Sequence, residues 1–405
     1  MLLLRNDVGH AATPPPRILL HYPVLNTGGA ERSTLRLLAA LADRGCEVHL
    51  VLTVKGGRLE PQIDPRVIVH HLRDMVGIIP AKVWRPGDAL RWAVGGLKWG
   101  WGRAQQAWRS LRFANMQVDA AICGSAGLSP EFVCNVLDAR KCFVFVRSDA
   151  RKVGDHRWGR NVRKFHKCIN AYLCVSRSVT RSMQAEYPEV GDKCVTAYNL
   201  LDPDAMRAQA DGQRDPFAPY RGAPRVLSVC RLQEVSKGLL RMVDVHRRLL
   251  DAGVQHTWHV LGDGPDHDLL ERAICKQGVS DTFKLHGAIE NPFPYYKHAD
   301  ICAVLSRYEG LCGVVNEARV LERPVIATRF AGIEEQIEDG VNGLIVEQDV
   351  AAICEGMASL IRDAGLRERL ALGGYPRDLL DDGAKMDQLM NLFSGPGSGP
   401  STVAR

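Results

Sequence analysis

Short apolar runs and helical segments alternate along most of the chain, and this alternation restricts the fold more than any other feature. Arg17 to Tyr22 and Glu47 to Thr53 are apolar runs, and between them lie the glycine-rich loop Asn26 to Arg32 and an amphipathic segment that ends near Arg44. A strand, a loop, a helix and a second strand in this order form a βαβ unit, which requires a parallel sheet. The same order returns from Arg225 onward. The sequence therefore predicts an α/β protein.

The length of 405 residues favours two domains over one. A stretch rich in proline and aspartate, residues 199–224, separates the two series of strands and predicts the linker. The remaining strands are predicted at 118–124, 141–146, 171–176 and 194–198 before the linker, and at 225–230, 257–261, 282–287, 301–305, 324–328 and 343–346 after it. The predicted organisation is a leader at 1–16, Rossmann-like doubly wound domains at 17–200 and 201–375, a C-terminal helix at 376–394 that returns to the first domain, and a disordered tail at 395–405. Because ligands of such sheets bind beyond the carboxyl ends of the strands, we expect the site in the cleft between the domains.

One segment of the second series, residues 300–328, combines this pattern with chemical groups. Ile301 to Leu305 predicts a buried strand, Ser306 to Gly313 a loop, Val314 to Glu322 a helix and Pro324 to Thr328 a second strand. The loop and the start of the helix would therefore lie at the carboxyl edge of the second sheet.

Two glutamates flank the start of that helix, Glu309 in the loop and Glu317 about one turn into the helix. Gly310 and Gly313 let the main chain approach a ligand, and the helix N-terminus favours an anion. The two carboxylates can accept hydrogen bonds from hydroxyl groups. This pattern favours a ligand that carries both phosphate and hydroxyls, such as a nucleotide sugar. The alternative is a pair of solvated glutamates at a surface turn.

Two cations follow the first strand of the second domain. Arg231 directly follows that strand, and Lys237 comes six residues later, before Gly238. Both would lie at the carboxyl edge of the sheet, where they can neutralise a diphosphate, more strongly as charge builds on a departing group. The alternative is that both are solvated loop cations.

Other common ligand and catalytic motifs are absent from the sequence. The turn that begins at Gly262 is not the dinucleotide fingerprint, and neither a Walker loop nor a Gly-x-Ser-x-Gly elbow is present. Asp202-Pro-Asp204 and Asp266-His-Asp268 precede helical segments, so they are expected to cap helices rather than to bind a metal. No metal and no cofactor is predicted.

The cysteines and the N-terminus indicate a cytoplasmic protein. None of the twelve cysteines forms a Cys-x-x-Cys pair, so they are interpreted as small buried thiols rather than as a disulfide framework or a zinc site. The apolar part of the N-terminus is too short for a signal peptide, and no apolar run is long enough to span a membrane.

Residues 80–113 differ in composition from the rest of the chain. They contain seven Lys/Arg against one Asp and five of the seven tryptophans, Trp84, Trp92, Trp99, Trp101 and Trp108. Tryptophan together with cations is typical of a helix at a membrane interface, so 82–112 is predicted to contact an anionic membrane. The alternative is a helical hairpin whose tryptophans pack into the domain core. The modest net charge of +6 for the whole chain does not favour nucleic acid.

The motifs occur together, in order, in one known family. The segments that carry the resemblance are Arg17 to Arg32 with Gly-Gly-Ala-Glu-Arg, Val229-Cys-Arg-Leu232 with Lys237-Gly238, Val260-Leu-Gly-Asp-Gly-Pro265, Lys284-Leu-His-Gly287, Tyr295 to Asp300, and the pair Glu309 and Glu317. Residues 16–365 closely resemble the retaining glycosyltransferases of family 4, which have the GT-B fold of two Rossmann-like domains facing each other across a cleft. The resemblance implies transfer of a sugar from a nucleotide diphosphate donor, of UDP or GDP type, without a metal.

The resemblance also implies roles for individual residues. Arg231 and Lys237 would hold the diphosphate and stabilise the leaving phosphate, and Glu309 would contact the sugar hydroxyls. Glu317 would bind the ribose. The other donor-side residues implied are Gly28 and Gly29 of the first loop, Gly262, and the main chain of Gly310, Leu311, Cys312, Gly313 and Val314.

The sequence departs from the family pattern on the acceptor side. Arg147 stands where many relatives carry a histidine, so Arg147 and Asp149 become the acceptor-side candidates. Cys230 and Cys312 are two further departures. The stretch 147–167 holds eight Lys/Arg, which suits a phosphate-linked acceptor such as a lipid diphosphate sugar.

The resulting expectation is a hexosyltransferase that acts on a glycan or lipid-linked acceptor in the synthesis of a bacterial capsule, exopolysaccharide or lipopolysaccharide. It would be cytoplasmic and peripheral at the inner face of the plasma membrane. Two alternatives remain at this point: another GT-B enzyme, such as a nucleotide-sugar epimerase or a phosphorylase, and a nucleotide-sugar-binding subunit that has lost turnover.

Overall fold

The computed structural model describes residues 14–26, 28–74, 88–151, 156–212, 214–220 and 222–394, with the side chains of 88–98 and 156 left out. The predicted leader up to residue 13, the predicted tail at 395–405, and residues 82–87 of the predicted membrane segment lie outside these ranges.

The first domain is built on a parallel sheet of seven strands in the order β3-β2-β1-β4-β5-β6-β7. Its strands are β1 (Arg17–Tyr22), β2 (Glu47–Val54), β3 (Ile68–Arg73), β4 (Gln117–Cys123), β5 (Asp138–Val146), β6 (Ala171–Cys174) and β7 (Cys194–Thr196). Its helices are α1 (Gly29–Asp43), α2 (Asp88–Ser110), α3 (His156–Phe165) and α4 (Arg177–Glu186).

The second domain contains a parallel sheet of six strands in the order β10-β9-β8-β11-β12-β13. These strands are β8 (Arg225–Val229), β9 (Thr257–Leu261), β10 (Phe283–Leu285), β11 (Ile301–Val304), β12 (Val325–Thr328) and β13 (Leu344–Val346). The helices that follow α4 are α5 (Pro203–Ala210), α6 (Glu234–Lys237), α7 (Leu239–Asp251), α8 (His267–Lys276), α9 (Phe293–His298), α10 (Gly313–Val320), α11 (Val350–Arg362), α12 (Ala364–Leu372), α13 (Arg377–Leu380) and α14 (Asp382–Ser394). The predicted α/β architecture of two Rossmann-like domains is confirmed.

Both faces of each sheet are covered, which explains why the central strands are largely apolar. In β1, Leu19 belongs to the core on one face, whereas Ile18 and Leu20 belong to the core on the other. Successive side chains of a strand point to opposite faces, so most positions of a strand buried on both sides are apolar. A doubly wound parallel sheet is the consequence.

The C-terminal helix α14 packs on the first domain. Met386, Leu389 and Phe393 join the core that contains β1, and Phe393 contacts Phe143 with ring centroids 5.1 Å apart. Lys141 donates from Nζ to the carbonyl oxygen of Leu392 at 2.7 Å. The chain therefore crosses back from the second domain to the first.

Two local features differ from the sequence analysis. Strand β3 was not predicted, because His70 and His71 interrupt its apolar pattern; His70 packs against His49 and Phe113. In the predicted membrane segment, the described residues form the helix α2 followed by a short 3-10 turn, Leu111–Phe113, so the hairpin that was the alternative is not seen among them. None of the described helices combines the length and the apolar character needed to cross a bilayer.

Candidate active site

The carboxyl edges of the two sheets meet at the loop between β11 and α10. Ser176, from the first domain, donates from Oγ to the carbonyl oxygen of Gly310 at 2.9 Å. A Cβ atom at Gly310 would lie 2.3 Å from the carbonyl oxygen of Arg147, so a larger residue would push the domains apart. Glycine at this position allows the two domains to approach closely, and the loop forms one wall of the cleft.

Lys237 and Glu309 form an ion pair at this wall. Nζ of Lys237 donates to Oε1 of Glu309, and Oγ of Ser306 donates to the same oxygen at 2.8 Å. Burial alone would lower the pKa of Lys237, but the charge of Glu309 outweighs it and raises that pKa above its ordinary value. Lys237 is therefore charged at neutral pH.

The local fold explains why Lys237 and Ser306 lie here. Lys237 ends the short helix α6, and Gly238 follows it with a φ of 63°, a conformation that favours glycine. Oγ1 of Thr328 donates to the carbonyl oxygen of Ser306 at 2.6 Å and holds the end of β11. The pair borders a small pocket between the ends of β8 and β11, which Cys230 and Val314 also line.

Glu317 lies on α10, buried at the contact between the domains. Its Oε2 accepts a hydrogen bond of 2.9 Å from Tyr296, and its Oε1 lies 3.9 Å from NH2 of Arg36 on α1. Burial raises the pKa of Glu317, and the charge of Arg36 opposes this shift. Arg32, one turn earlier on α1, donates to the carbonyl oxygen of Glu290 at 2.8 Å. The two arginines join α1 to the second domain.

Arg231 is exposed at the carboxyl edge of the second sheet. Burial raises the pKa of Glu31 on α1, whereas the charges of Arg147 and Arg231 oppose this shift. The Glu31 carboxylate is thus influenced by one cation from each domain. Sequence analysis did not single out Glu31, although a glutamate in the first turn after two glycines was a usable signal.

Gly28 and Gly29 lie at the N-terminus of α1. Gly28 caps the helix in an extended conformation without a side-chain hydrogen bond. A Cβ atom at Gly28 would lie 2.3 Å from Oε2 of Glu31, so the carboxylate folds back over this residue, whereas Gly29 borders open space. In this structure the Glu31 carboxylate occupies the position that favours an anion.

Two donor-side residues of the loop are already engaged within the protein. Cys312 donates its amide to Oε1 of Gln336 at 3.0 Å, and Leu311 packs into a core of the first domain. The Cys312 amide is therefore not one of the free donors that the resemblance implied. Gly310, Gly313 and Val314 remain as the main-chain positions of the loop that can face a ligand.

Gly262 has a packing role. Its φ is 139°, and a Cβ atom would lie 1.8 Å from the carbonyl oxygen of Cys230, so only glycine fits against the end of β8. Nothing in this contact requires a ligand, and donor binding by Gly262 stays a prediction.

The two acceptor-side candidates differ. Arg147 lies at the cleft, where its guanidinium donates to the carbonyl of Gly124 at 3.3 Å, to Oδ1 of Asn199 at 3.1 Å and to Oγ1 of Thr34 at 3.2 Å. Burial lowers the pKa of Arg147.

Asp149 is buried and fully hydrogen-bonded. Its carboxylate accepts hydrogen bonds from the Arg151 side chain at 3.0 and 2.8 Å and another from the Ser182 hydroxyl. Burial would raise the pKa of Asp149, but these hydrogen bonds lower it overall. These contacts give Asp149 a structural role, and a role on the acceptor side stays a prediction for this residue.

The aspartates expected to cap helices do so in two ways. Asp202 accepts from the amide of Ala205 at 3.2 Å and caps α5, as predicted. Asp266 accepts from the amide of Glu234 at 2.7 Å and so caps α6 rather than the helix that follows it. Among the described residues, neither group of side chains with metal-ligand geometry includes a residue of the cleft.

Family models match both halves of the chain. The model described as Glycosyltransferase Family 4 matches residues 27–205, and the model described as Glycosyl transferases group 1 matches residues 223–363. The first match begins after β1 and contains β2 to β7, and the second contains all six strands of the second sheet.

A curated relative and two solved structures extend over nearly the whole chain. The lipopolysaccharide core biosynthesis glycosyltransferase LpsE of Rhizobium meliloti is 24% identical over 381 residues, 88% of this chain and 92% of the relative. HepE of Anabaena, solved with UDP and glucose, has a TM-score of 0.72 at 15% identity and covers 94% of this chain and 99% of its own. A variant of Staphylococcus aureus TarM in complex with UDP has a TM-score of 0.72 at 12% identity and covers 94% and 100%.

Proposed function

The chain is a member of glycosyltransferase family 4 and has the GT-B fold, and we propose that it transfers a sugar from a nucleotide diphosphate donor with retention of configuration. By homology it acts in the synthesis of polysaccharide, capsule or lipopolysaccharide. The observation that carries the proposal is the ion pair between Lys237 and Glu309 in the wall of the cleft; Arg231, which follows β8 at the carboxyl edge of the same sheet, is exposed.

The donor diphosphate would bind where positive charge converges. Lys237 keeps a charged ammonium with three donors, of which Glu309 takes one. Arg231 adds a planar guanidinium, which matches phosphate geometry. The N-termini of α1 and α10 add two helix dipoles. UDP is the first donor type to test, because HepE and TarM were solved with UDP.

Glu309 and Glu317 would bind the hydroxyl groups of the donor. Oε1 of Glu309 already accepts two hydrogen bonds, which leaves Oε2 for a sugar hydroxyl. Among the described residues, Arg36 at 3.9 Å is the partner of Oε1 of Glu317, which can therefore also accept a hydrogen bond from the ribose. In this proposal Glu309 would bind the sugar end of the donor and Glu317 the nucleoside end.

The transfer would follow front-face attack. The bond between the anomeric carbon and the phosphate oxygen breaks, and that oxygen keeps the electron pair. The acceptor hydroxyl bonds to the same carbon from the same face, and its proton passes to the departing oxygen. Lys237 and Arg231 stabilise the charge on the diphosphate. No metal and no cofactor takes part in this proposal, and Glu309 is not required as a base.

The acceptor side would lie around Arg147, whose guanidinium is held at the cleft. A glycan or lipid-linked acceptor fits this position, and a phosphate on the acceptor would be attracted by the basic stretch 147–167.

Contact with an anionic membrane is supported by the exposed face of α2. Trp101 and Trp108 expose 73% and 60% of their surface, and Leu111 is exposed beside them. The guanidinium of Arg112 lies 4.9 Å from the ring centre of Trp108. Exposed tryptophans with adjacent cations suit the lipid headgroup region.

The position of α2 also fits delivery of a membrane-bound acceptor. Asp74 follows β3 at the carboxyl edge of the sheet, and it accepts hydrogen bonds from Gln105 at 2.7 Å and from Arg109 at 3.2 Å. The turn of α2 that carries Gln105 and Arg109 therefore contacts the chain just after β3.

A cytoplasmic location is also part of this proposal, and it agrees with the absence of disulfides among the twelve cysteines, all of which are described.

The experiment is to incubate the protein with a panel of nucleotide sugars, with and without a lipid extract, and to follow nucleotide release. Release that depends on the extract supports transfer, and proton NMR of the product gives the anomeric configuration. Extract-independent release of sugar or consumption of phosphate would indicate an epimerase or phosphorylase. Binding without release would indicate a subunit that lacks turnover.

A further inference from the structure

Three cysteines of the first domain meet outside the cleft. The Sγ atoms of Cys134, Cys142 and Cys168 all lie within 4.8 Å of one another. Cys134 belongs to the turn Phe132–Val136, Cys142 lies in β5, and Cys168 follows α3. Cys142 is four residues before the carboxyl end of β5, about 13 Å along the strand from the edge that faces the cleft. The cluster therefore takes no part in the site described above.

Hydrogen bonds hold the loop that carries Cys168 against β5 and against Lys193. The amide of Cys142 donates to Oδ1 of Asn170 at 2.8 Å, and the amide of Asn170 donates to the carbonyl oxygen of Cys142 at 2.8 Å. Lys193 donates from Nζ to the carbonyl oxygens of His166 and Ile169 at 2.6 and 2.8 Å. The loop that carries Cys168 is thus held on both sides.

We propose that Cys134, Cys142 and Cys168 form a binding site for one thiophilic metal ion of the Zn²⁺ class. Thiolates are the preferred ligands of such ions. A Zn–S bond of about 2.3 Å gives sulfur–sulfur separations of about 3.8 Å around one ion. The cluster needs only a small contraction to reach this geometry.

Access and protonation are both consistent with metal uptake. Cys142 is buried, but Cys134 and Cys168 are partly exposed, which provides an entry path and room for a water as the fourth ligand. Each thiol that binds the ion loses its proton to solvent. Cys142 then gives up the hydrogen bond of 3.3 Å that its thiol donates to the carbonyl oxygen of Val133.

The ion would stabilise the first domain without entering the chemistry. It would join a turn, a strand and a loop that are separated in sequence by 8 and 26 residues. Those separations match no common zinc motif, which is why the sequence alone predicted no zinc site. The proposal is independent of metal-free sugar transfer.

The test uses the full chain, reduced with a phosphine and freed of metal. Dialysis against Zn²⁺ should load about one ion per chain. Replacement by Co²⁺ should give a sulfur-to-metal charge-transfer band. Cys134→Ser and Cys168→Ser should each lose the stoichiometric ion and the band, with circular dichroism checking the fold. Cys275→Ser is the matched control, because Cys275 is exposed and outside the cluster, and it should behave like the parent.

Three results would overturn the proposal. The first is Zn²⁺ uptake that is unchanged in both cluster variants. The second is Zn²⁺ uptake that is lost only in His267→Ala, because His267, Asp268 and Glu271 form a second group of possible ligands near the surface. A disulfide between two of the three cysteines, together with no Zn²⁺ uptake by the reduced protein, would identify a redox pair instead.

Discussion

Nζ of Lys237 donates to Oε1 of Glu309, so the cation assigned to the donor phosphates is paired with the acid assigned to the donor sugar. Each group holds the other in the wall of the cleft. Ser306 supports the same carboxylate oxygen. A donor bound there would interact with Lys237 and Glu309 while they remain paired with each other. The ion pair is therefore expected to affect both the stability of the protein and its activity.

Stability and activity can be separated with a double-mutant cycle. Lys237→Met leaves the partly buried Glu309 unpaired, so we expect a loss of about 2 kcal/mol in the free energy of unfolding. Adding Glu309→Gln removes the unpaired charge and should recover part of that loss, while transfer stays absent. Urea unfolding of the two single variants and the double variant measures the coupling. Additive losses would show that the two side chains do not interact.

Glu31 gives a prediction for donor affinity. Its carboxylate lies at the N-terminus of α1 and is influenced by Arg147 and Arg231, so it competes with a phosphate for the same positive charge. Glu31→Gln should therefore tighten UDP binding by about three- to tenfold, or about 1 kcal/mol. Calorimetric titration with UDP measures this change.

The matched control for Glu31 is Glu338→Gln, an exposed acid outside the cleft. UDP should bind to this variant and to the parent equally. If Glu31→Gln weakened UDP binding, Glu31 would be a contact of the donor rather than a competitor.

The raised pKa of Glu317 predicts that this residue affects the stability of the protein differently at different pH values. Burial raises the pKa of Glu317, so the native state binds its proton more tightly than the unfolded chain does. The group therefore destabilises the protein above its folded pKa, and this cost disappears as the pH falls below the unfolded value of about 4.3.

Glu317→Gln should accordingly be more stable than the parent at pH 7, with the difference shrinking toward pH 4. It should also weaken UDP binding, because the ribose loses a carboxylate acceptor. Thermal unfolding across this pH range provides the measurement. A difference that is constant with pH would contradict the assigned ionisation.

Membrane contact through α2 predicts vesicle binding that depends on charge and on tryptophan. The parent should sediment with vesicles that contain anionic lipid, and binding should fall as salt is raised. Trp101→Ala with Trp108→Ala should reduce binding by about tenfold or more, since two large apolar contacts are lost.

Leu372→Ala serves as the control for the vesicle experiment, because Leu372 is another large exposed apolar side chain, at 69%, far along the chain from α2. It should bind like the parent. Equal binding of the tryptophan variant and the parent would exclude α2 as the contact.

The fold was largely predictable because most strands are uniformly apolar. A strand such as β11 is buried on both faces, so it appears in the sequence as a short apolar run that can be recognised without its neighbours. Strand β3 was missed because two histidines occupy it, and the partners of His70, which are His49 and Phe113, come from other elements. A local pattern contains no information about such contacts.

The site was predictable where neighbours in sequence set the geometry. Lys237 and Glu309 lie beside strand ends, so topology alone brings them to one edge. The engagement of the Cys312 amide was not predictable, because Gln336 lies 24 residues away. The burial of Asp149 depends in the same way on Ser182 of α4. Glu31 had a local signal in its helix position, which the sequence analysis did not use.

The most direct test of the account is the rate of extract-dependent nucleotide release by Glu309→Gln and Lys237→Met, measured beside Glu338→Gln. The account predicts that both cleft variants fold but release nucleotide at least about 100-fold more slowly than the parent, because Lys237 stabilises the charge on the departing diphosphate, whereas Glu309 orients the donor sugar and holds Lys237 in place. The Glu338→Gln control should keep the parental rate. Rates in both cleft variants that match the control would contradict the assignment of the site.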